Sequence, residues 1–161
     1  MKKLLILLFL FSFNNVYAES GKYSTSTVCD YTKSAIDTNN KMVISLYFEC
    51  ISTVTKSDND LFTVNENSYG NLMANIIRTK KSMDLTGYGT ITSATNSNDK
   101  IFAENMRKVG DIKTGTGGKG KSKIVGGTGK YAGITGECTY IVSYHSDDKM
   151  RFAAQECTYK N

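Results

Sequence analysis

The sequence contains no proline, no tryptophan and a single histidine, His145, among its 161 residues. Without proline, strands run uninterrupted and turns must be formed by glycine, asparagine, aspartate and serine. One histidine is too few for a histidine-based metal centre, and it restricts a Ser-His-Asp triad to one general base. We therefore expect no metal and no cofactor. His145 borders the segment "SDDK", where we expect a solvent-facing loop residue.

Long hydrophobic runs are absent after the first 13 residues. The segment "MKKLLILLFLFSFNNVYA" has two lysines, a short apolar run and small residues at its end, which is the layout of a signal peptide. Its apolar run is about half as long as a membrane-spanning helix. The sequence predicts a signal peptide over 1–18, cleavage between Ala18 and Glu19, and a secreted or periplasmic protein. Residues 19–161 are then one domain without a transmembrane segment.

A strong excess of one charge is also lacking. The chain has 20 Lys and Arg against 15 Asp and Glu. Loss of Lys2 and Lys3 with the signal peptide leaves 18 basic and 15 acidic residues, a net charge of +3. Nucleic-acid-binding domains are typically much more basic. We therefore expect no nucleic-acid partner.

Four cysteines are present, an even number that favours two disulfides in an exported protein. Cys29 and Cys50 lie symmetrically about "NN" at 39–40, and Cys138 and Cys157 about "DD" at 147–148. Asn and Asp tolerate the backbone of tight hairpin turns. Hairpins that turn at these residues bring each pair of cysteines opposite each other, within disulfide distance. Of the three pairings that are open, this symmetry favours 29–50 and 138–157.

Much of the remaining chain alternates with the period of two that is typical of β-strands. Short segments rich in Asn, Asp, Ser and Gly separate these stretches, which predicts about eight strands. Short connections favour an antiparallel barrel or sandwich over a βαβ fold. The segment "NLMANIIR" fits both periods. We therefore predict an all-β fold with either a strand or one short helix near 71–80.

The segment "IVGGTGKYAGITGECTY" contains five glycines among 17 residues. The segment does not fit the motif of a phosphate-binding loop, because Ile124 stands where the motif needs its first glycine and Tyr131 where it needs serine or threonine. A basic anion site is the other functional interpretation, formed by Lys119, Lys121, Lys123 and Lys130, with Lys113 nearby. The structural alternative is a solvated strand edge that the lysines protect from aggregation.

The same segment is similar to the GGTGKF-x-G-x-x-G segment of the allene oxide cyclase and dirigent barrel superfamily. The resemblance rests on its glycines, namely Gly126, Gly127, Gly129, Gly133 and Gly136. It implies a single antiparallel barrel of eight strands, calycin-like in appearance, with an apolar cavity, and a homo-oligomer such as the trimers of plant members. No cavity residue of those members can be transferred to this sequence, so the resemblance concerns the fold rather than an activity.

Two classes of function remain open. The first is an exported barrel that binds a small apolar or amphipathic molecule, or serves as a structural or interaction module. The alternative is a cyclase or dirigent-like protein that steers a reactive small molecule in the cavity. Glu104, Asp111 and Glu137 are candidate carboxylates, but no catalytic residue can be named from the sequence. A filled or wholly apolar interior would favour the first class, and convergent polar side chains the second.

Overall fold

The computed structural model describes residues 20–80, 82–107, 112–113, 117–144 and 150–161, with the backbone alone at 112–113, 117, 144 and 150–153. The predicted signal peptide, Asp111, His145 and the turn at 147–148 lie outside the described residues. The strands, in chain order, are β1 (Ser20–Asp37), β2 (Lys41–Ser57), β3 (Asn67–Thr79), β4 (Met83–Ser93), β5 (Lys100–Arg107), β6 (Ile112–Lys113), β7 (Gly117–Thr128), β8 (Thr135–Tyr144) and β9 (Met150–Lys160).

Eight of these strands form a closed antiparallel barrel. The order around the barrel is β5-β4-β3-β2-β1-β9-β8-β7, and pairing of β5 with β7 closes it. The two-residue strand β6 pairs only with the start of β7. The prediction of an all-β barrel of about eight strands is therefore confirmed. Among the described residues, no helix has the length and hydropathy needed to cross a membrane.

Both disulfides have the pairing that the hairpin symmetry predicts. Cys29 is the direct partner of Cys50 in the β1–β2 register, with 4.0 Å between their Cα atoms. Cys138 is the direct partner of Cys157 in the β8–β9 register, with a Cα–Cα distance of 4.1 Å. Each bridge links neighbouring strands and points into the barrel.

The short helix considered near 71–80 is absent, and the segment belongs to β3. Leu72, Ala74 and Ile76 point into the barrel, whereas Met73 and Ile77 are exposed on its outer face. The segment forms a strand rather than a helix because β2 on one side and β4 on the other supply backbone hydrogen-bond partners along its length.

One end of the barrel is closed by an aromatic cluster. Phe62 lies in the loop between β2 and β3 and inserts between the rings of Tyr23, Tyr131 and Tyr159. Its ring centroid lies 3.7 Å from that of Tyr23, 5.2 Å from that of Tyr131 and 5.0 Å from that of Tyr159. We call this cluster of four rings the plug.

The loop that carries Phe62 is held to the barrel by polar contacts at both of its ends. The Asp58 carboxylate accepts a hydrogen bond from the Lys22 backbone N–H at 2.8 Å. The Tyr159 hydroxyl donates to the side-chain oxygen of Asn59. Backbone bonds between Val54 and both Asn65 and Glu66 close the other end of the loop. Consequently Phe62 has a defined position although it belongs to no strand.

Candidate ligand cavity

The half of the barrel beyond the plug contains a cavity of about 200 Å³. Its first wall is apolar and comes from β1 to β4, where alternate residues point inward. The lining side chains of this wall are Leu46, Phe48, Leu72, Ala74, Ile76, Met83 and Leu85, together with the Cys29–Cys50 disulfide. Because β3 and β4 also place Gly70 and Gly89 along the wall, the interior is not filled at this level.

The opposite wall of the cavity comes from β5, β7, β8 and β9, and it carries the polar groups beside Ala103 and Val142; we call it the polar wall. It carries five side chains with hydrogen-bonding groups, namely Asn105, Arg107, Ser122, Tyr140 and Gln155. Arg107 and Ser122 are buried, with exposed fractions of 5% and 3%. A buried guanidinium is rare in protein interiors, where Arg is mostly exposed. The cavity is therefore amphipathic, with apolar and polar walls facing each other.

A small polar layer separates the cavity from the plug. The hydroxyl oxygens of Thr27 and Ser52 lie 2.7 Å apart across the β1–β2 pair, and both residues are buried. Each hydroxyl satisfies the other, so the layer adds polarity without leaving these two groups unpaired.

Gly120 sets the position of Tyr140 in the polar wall. The two residues are direct partners in the β7–β8 register, and a Cβ on Gly120 would overlap the Tyr140 ring. The missing side chain thus lets the tyrosine lie flat across β7, as aromatic residues do over glycines in strongly coiled sheets. The hydroxyl of Tyr140 is thereby carried on a ring that lines the cavity.

At the plug, the charged side chains of Glu66 and Lys130 form an ion pair with 3.0 Å between Nζ and Oε2. Ser93 donates a further hydrogen bond to Glu66 at 2.8 Å. Burial alone raises the pKa of Glu66, but the hydrogen bonds from Lys130 and Ser93 and the charge of Lys130 outweigh it and hold that pKa below its ordinary value. The pair therefore ties the segment after β7 to the β2–β3 loop.

Tyr23 and Tyr131 of the plug stay neutral at physiological pH. Burial raises the pKa of Tyr23, and the nearby Tyr131 and Tyr159 raise it further. Burial likewise raises the pKa of Tyr131, as do the carboxylates of Glu66 and Asp99. Both hydroxyls therefore stay protonated on rings that pack within the plug.

The glycine segment forms the connection between β7 and β8. Gly126 and Gly127 lie at the end of β7, next to an irregularity in its register with β5, and Gly136 lies in β8. Gly129 starts a single 3₁₀ turn over Gly129–Tyr131 and has a φ of 60°, where a Cβ would also collide with the Asp99 carboxylate. Gly133, with a φ of 86°, follows the turn. The segment thus turns the chain at the barrel end and delivers Tyr131 to the plug.

The lysines considered as an anion site do not converge. Lys119, Lys121 and Lys123 alternate along the exposed outer face of β7, whereas Lys130 is engaged with Glu66 beside the plug. In register, Lys123 stands between Glu104 of β5 and Glu137 of β8. Lysine and glutamate side chains on one outer face are what a solvated barrel surface requires.

Of the candidate carboxylates, Glu104 and Glu137 are not placed at the cavity either. Glu104 and Glu137 lie on the outer face, on opposite sides of β7, which puts them about 10 Å apart at the usual strand spacing. Asp111 and His145 lie outside the described residues. Within the described part of the chain, no three His, Cys, Asp or Glu side chains are grouped as metal ligands.

Sequence reasoning missed the polar wall. In "KIFAENMR" the residues Ile101, Ala103, Asn105 and Arg107 share one face of the strand, and that face points inward. The sequence does contain a signal for this wall, because the apolar face of the strand continues with an amide and a guanidinium. Polar residues on a face that is otherwise buried indicate a functional site more strongly than apolar residues do. Gln155 and Ser122 gave no comparable signal, because their strands alternate less regularly.

Comparison with solved structures finds a protein of the same fold. The structure of the pterocarpan synthase dirigent protein GePTS1 superposes with a TM-score of 0.52, covering 99% of this chain and 96% of that chain at 11% sequence identity. No family model matches the chain, and a search of curated proteins finds no significant match. The resemblance to the dirigent-like barrel that the glycine segment indicates is therefore confirmed at the level of the fold.

Proposed function

We propose that this dirigent-like barrel is an exported protein that binds a small amphipathic molecule in its cavity. The observation that carries the proposal is the pairing of an apolar wall on β1 to β4 with a polar wall on β5, β7, β8 and β9. Concave sites that combine apolar lining with a few placed polar groups are the usual form of small-molecule sites.

The size of the cavity limits the ligand. A cavity of about 150 Å³ is sufficient for benzene. The 200 Å³ available here accommodate a single aromatic ring with a short substituent, or a short branched chain. The apolar part would pack against Leu46, Phe48 and Leu72, and its polar group would face Asn105, Arg107 or Gln155.

Export is part of the proposal and is supported by the two disulfides. Disulfides persist in secreted and periplasmic proteins and are rare where thiols are kept reduced. Cleavage between Ala18 and Glu19 is testable by mass spectrometry of the protein recovered from the periplasm or the medium. A mature chain that begins at Glu19 is the expected result.

The alternative function, a cyclase or dirigent-like protein that steers a reactive molecule, is favoured by one specific observation. Polar side chains do converge on one wall of the cavity, and the guanidinium of Arg107 is suited to holding an anionic or electron-rich group during a reaction. The dirigent protein of similar fold is described as a pterocarpan synthase. A steering protein of this kind needs orientation more than it needs a catalytic triad.

Native mass spectrometry of protein expressed into an oxidising compartment tests the proposal. Extra mass that is released on denaturation would identify a ligand. Titration with benzene and with benzoate, followed by NMR, then gives the affinity for each compound. The difference between the two affinities measures the contribution of the polar wall. We expect benzoate to bind at least about tenfold more tightly, because only it engages the polar wall. Benzene and benzoate that both fail to bind, in protein free of other ligands, would contradict the proposal.

Conversion of the bound molecule separates the two functions. A ligand that is released unchanged after incubation with fresh protein supports binding. A precursor that gives a different distribution of products with the protein than without it supports the alternative. In that case Arg107→Met should return the products to the uncatalysed distribution, while the exposed control Arg78→Met should not.

A further inference from the structure

The outer face of β2, β3 and β4 carries nine side chains in three parallel rows. The rows follow from the register, because residues that are direct partners on neighbouring strands point to the same side of the sheet at the same level. The central row is Tyr47, Met73 and Tyr88, the row on one side is Ser45, Asn75 and Thr86, and the row on the other side is Glu49, Asn71 and Thr90. We call these nine side chains the outer array.

The central row of the outer array is apolar and open to solvent. The exposed fractions are 39% for Tyr47, 68% for Met73 and 66% for Tyr88. Two strand spacings separate the tyrosines, which places them about 10 Å apart with the methionine between them. Large apolar side chains that are exposed as a connected group mark interaction sites. The row is therefore a surface to which a partner can bind.

The two rows beside it carry hydrogen-bonding groups. The Tyr47 hydroxyl donates to Oδ1 of Asn71 at 3.0 Å, and the Ser45 hydroxyl donates to Oδ1 of Asn75 at 2.9 Å. Since the amide oxygens accept these bonds, the NH₂ groups of both asparagines keep their hydrogens for a partner. Glu49 adds carboxylate oxygens, which accept hydrogen bonds. The apolar row thus lies between two polar rows, each about 7 Å away along the strands.

The charged residues next to the outer array in the register, among those that the structure describes, are acidic. Asp30 on β1 is the direct partner of Glu49, and Glu104 on β5 is the direct partner of Tyr88. Asp84 lies on the same face near the start of β4. These carboxylates repel an anionic partner, such as a nucleic acid or a bilayer of anionic lipids. A lipid surface would also leave the two polar rows without hydrogen-bond partners, which is costly.

Peptide binding by strand addition is excluded at the outer array. Each of β2, β3 and β4 pairs with a neighbouring strand on both sides, so their backbone groups are occupied. A partner must therefore contact the side chains, of which only Glu49 among the nine is charged. These properties favour an uncharged partner that has apolar surface in its middle and hydrogen-bonding groups along both edges.

We propose that the outer array binds a neutral glycan, an extended chain of β-1,4-linked hexopyranoses that lies across the three strands. The faces of such sugar rings carry C–H groups, which pack on aromatic rings, and the hydroxyls point outward at both edges of the chain. In this orientation the C–H groups cover the central row and the hydroxyls meet the polar rows. Amides, hydroxyls and a carboxylate supply the donors and acceptors that sugar hydroxyls need. Two units of the chain span about the distance between Tyr47 and Tyr88.

NMR titration of the full mature chain with cellohexaose and with chitohexaose tests the proposal, and it distinguishes a glucan from an N-acetylated glycan. We expect at least one hexasaccharide to bind with a Kd of about 1 mM or lower and to shift backbone signals of β2, β3 and β4. Tyr88→Ala should weaken binding at least about tenfold. Tyr88→Trp, which keeps a flat aromatic face, should retain the affinity, whereas Tyr88→Leu should lose as much as Tyr88→Ala.

Two control variants locate the site. Tyr69→Ala on β3 and Ile141→Ala on β8 change exposed side chains outside the outer array, and they should leave the affinity within about twofold of the wild type. Because every variant changes an exposed residue, all of them should keep both disulfides and an unfolding midpoint close to that of the wild type. Loss of binding in Tyr88→Ala is then not a loss of the fold.

Failure of both hexasaccharides to bind at about 10 mM would overturn the proposal. Equal losses in Tyr88→Ala and Tyr69→Ala would do so too, since binding would not depend on the central row. Cosedimentation with phosphatidylcholine vesicles that Tyr88→Ala abolishes, without binding of either hexasaccharide, would assign the outer array to a lipid surface instead. Because the array lies on the outer face of the barrel, these results are independent of the proposed function.

Discussion

The two ends of the barrel interior are built on the same alternation of side chains, yet one is filled and the other encloses a cavity. At the filled end, Phe62 from a loop enters between three tyrosine rings. At the other end, the inward positions carry medium-sized aliphatic residues, Ala74 and two glycines, and about 200 Å³ stay open. Each end also contains one disulfide. The alternation of the strands therefore does not decide how full each end is. A single loop fills one end, and a few small wall residues leave the other end open.

The largest loss of stability should follow from removing the Phe62 ring from the plug. Phe62→Ala deletes a buried ring with aromatic neighbours on three sides, and we expect a loss of about 3–5 kcal/mol in the free energy of unfolding. Phe102→Ala, which removes the same ring from the outer face of β5, should cost no more than about 1 kcal/mol. Urea unfolding measures both variants. Equal losses would show that the plug contributes no special packing.

The two disulfides sharpen the comparison. They close loops of similar length, with sequence separations of 21 and 19, so the chain-entropy contribution should be about 3 kcal/mol for each. Cys138 and Cys157 are both buried beside the plug, whereas Cys50 is only half-buried at the cavity. The variant Cys138→Ala, Cys157→Ala should therefore be the less stable of the two double variants. Thermal unfolding of both variants checks this order, and equal losses would show that packing around the bridges is unimportant.

Filling the cavity should affect binding more than stability. Ala103→Leu adds a larger side chain from β5 opposite Gly89, and we expect at least a tenfold loss of benzoate affinity with a change of stability within about 1–2 kcal/mol. Ala154→Leu makes the same change on the outer face of β9 and should alter neither quantity. NMR titration and thermal unfolding provide the two readouts. If Ala103→Leu binds benzoate with unchanged affinity, the ligand does not bind in this cavity.

The smallest effect concerns the ion pair at the plug. The folded-state pKa of Glu66 lies below its ordinary value of 4.5, so its ionised form stabilises the fold at neutral pH. This contribution is fully present above pH 4.5 and is lost as the pH falls through the folded-state pKa. Glu66→Gln should cost about 1 kcal/mol or less at pH 7 and nothing at the acidic end. Unfolding free energies of both proteins against pH check this, and a difference that grows on acidification would contradict it.

Most of the barrel was predictable because its determinants are local. The alternation of side chains identifies strands, and Asn-Asn at 39–40 places the β1–β2 turn, from which the register and the Cys29–Cys50 pairing follow. The segment at 71–80 was ambiguous because Met73 and Ile77 continue a helical period. Their exposure follows from the alternation of β3, which directs Leu72, Ala74 and Ile76 into the barrel and Met73 and Ile77 outward.

The candidate site was less predictable, because it depends on which side chains meet across the barrel. "LFTV" at 61–64 has the appearance of a strand, yet it lies in the loop that carries Phe62 into the plug. Asn105, Arg107 and Gln155 come from strands that are distant in sequence, and only closure of the barrel brings them to one wall. The five glycines indicate the fold, but they lie at the barrel end and contribute nothing to the cavity lining.

The amino-acid sequence by itself determined most of the strands, the hairpin register and both disulfides, because these follow from period-two patterns and turn residues within about twenty positions of one another. Tertiary structure alone decided which barrel end is filled, which polar groups face the cavity and which apolar residues stay outside. These outcomes depend on the volumes and directions of side chains from distant strands once the barrel has closed.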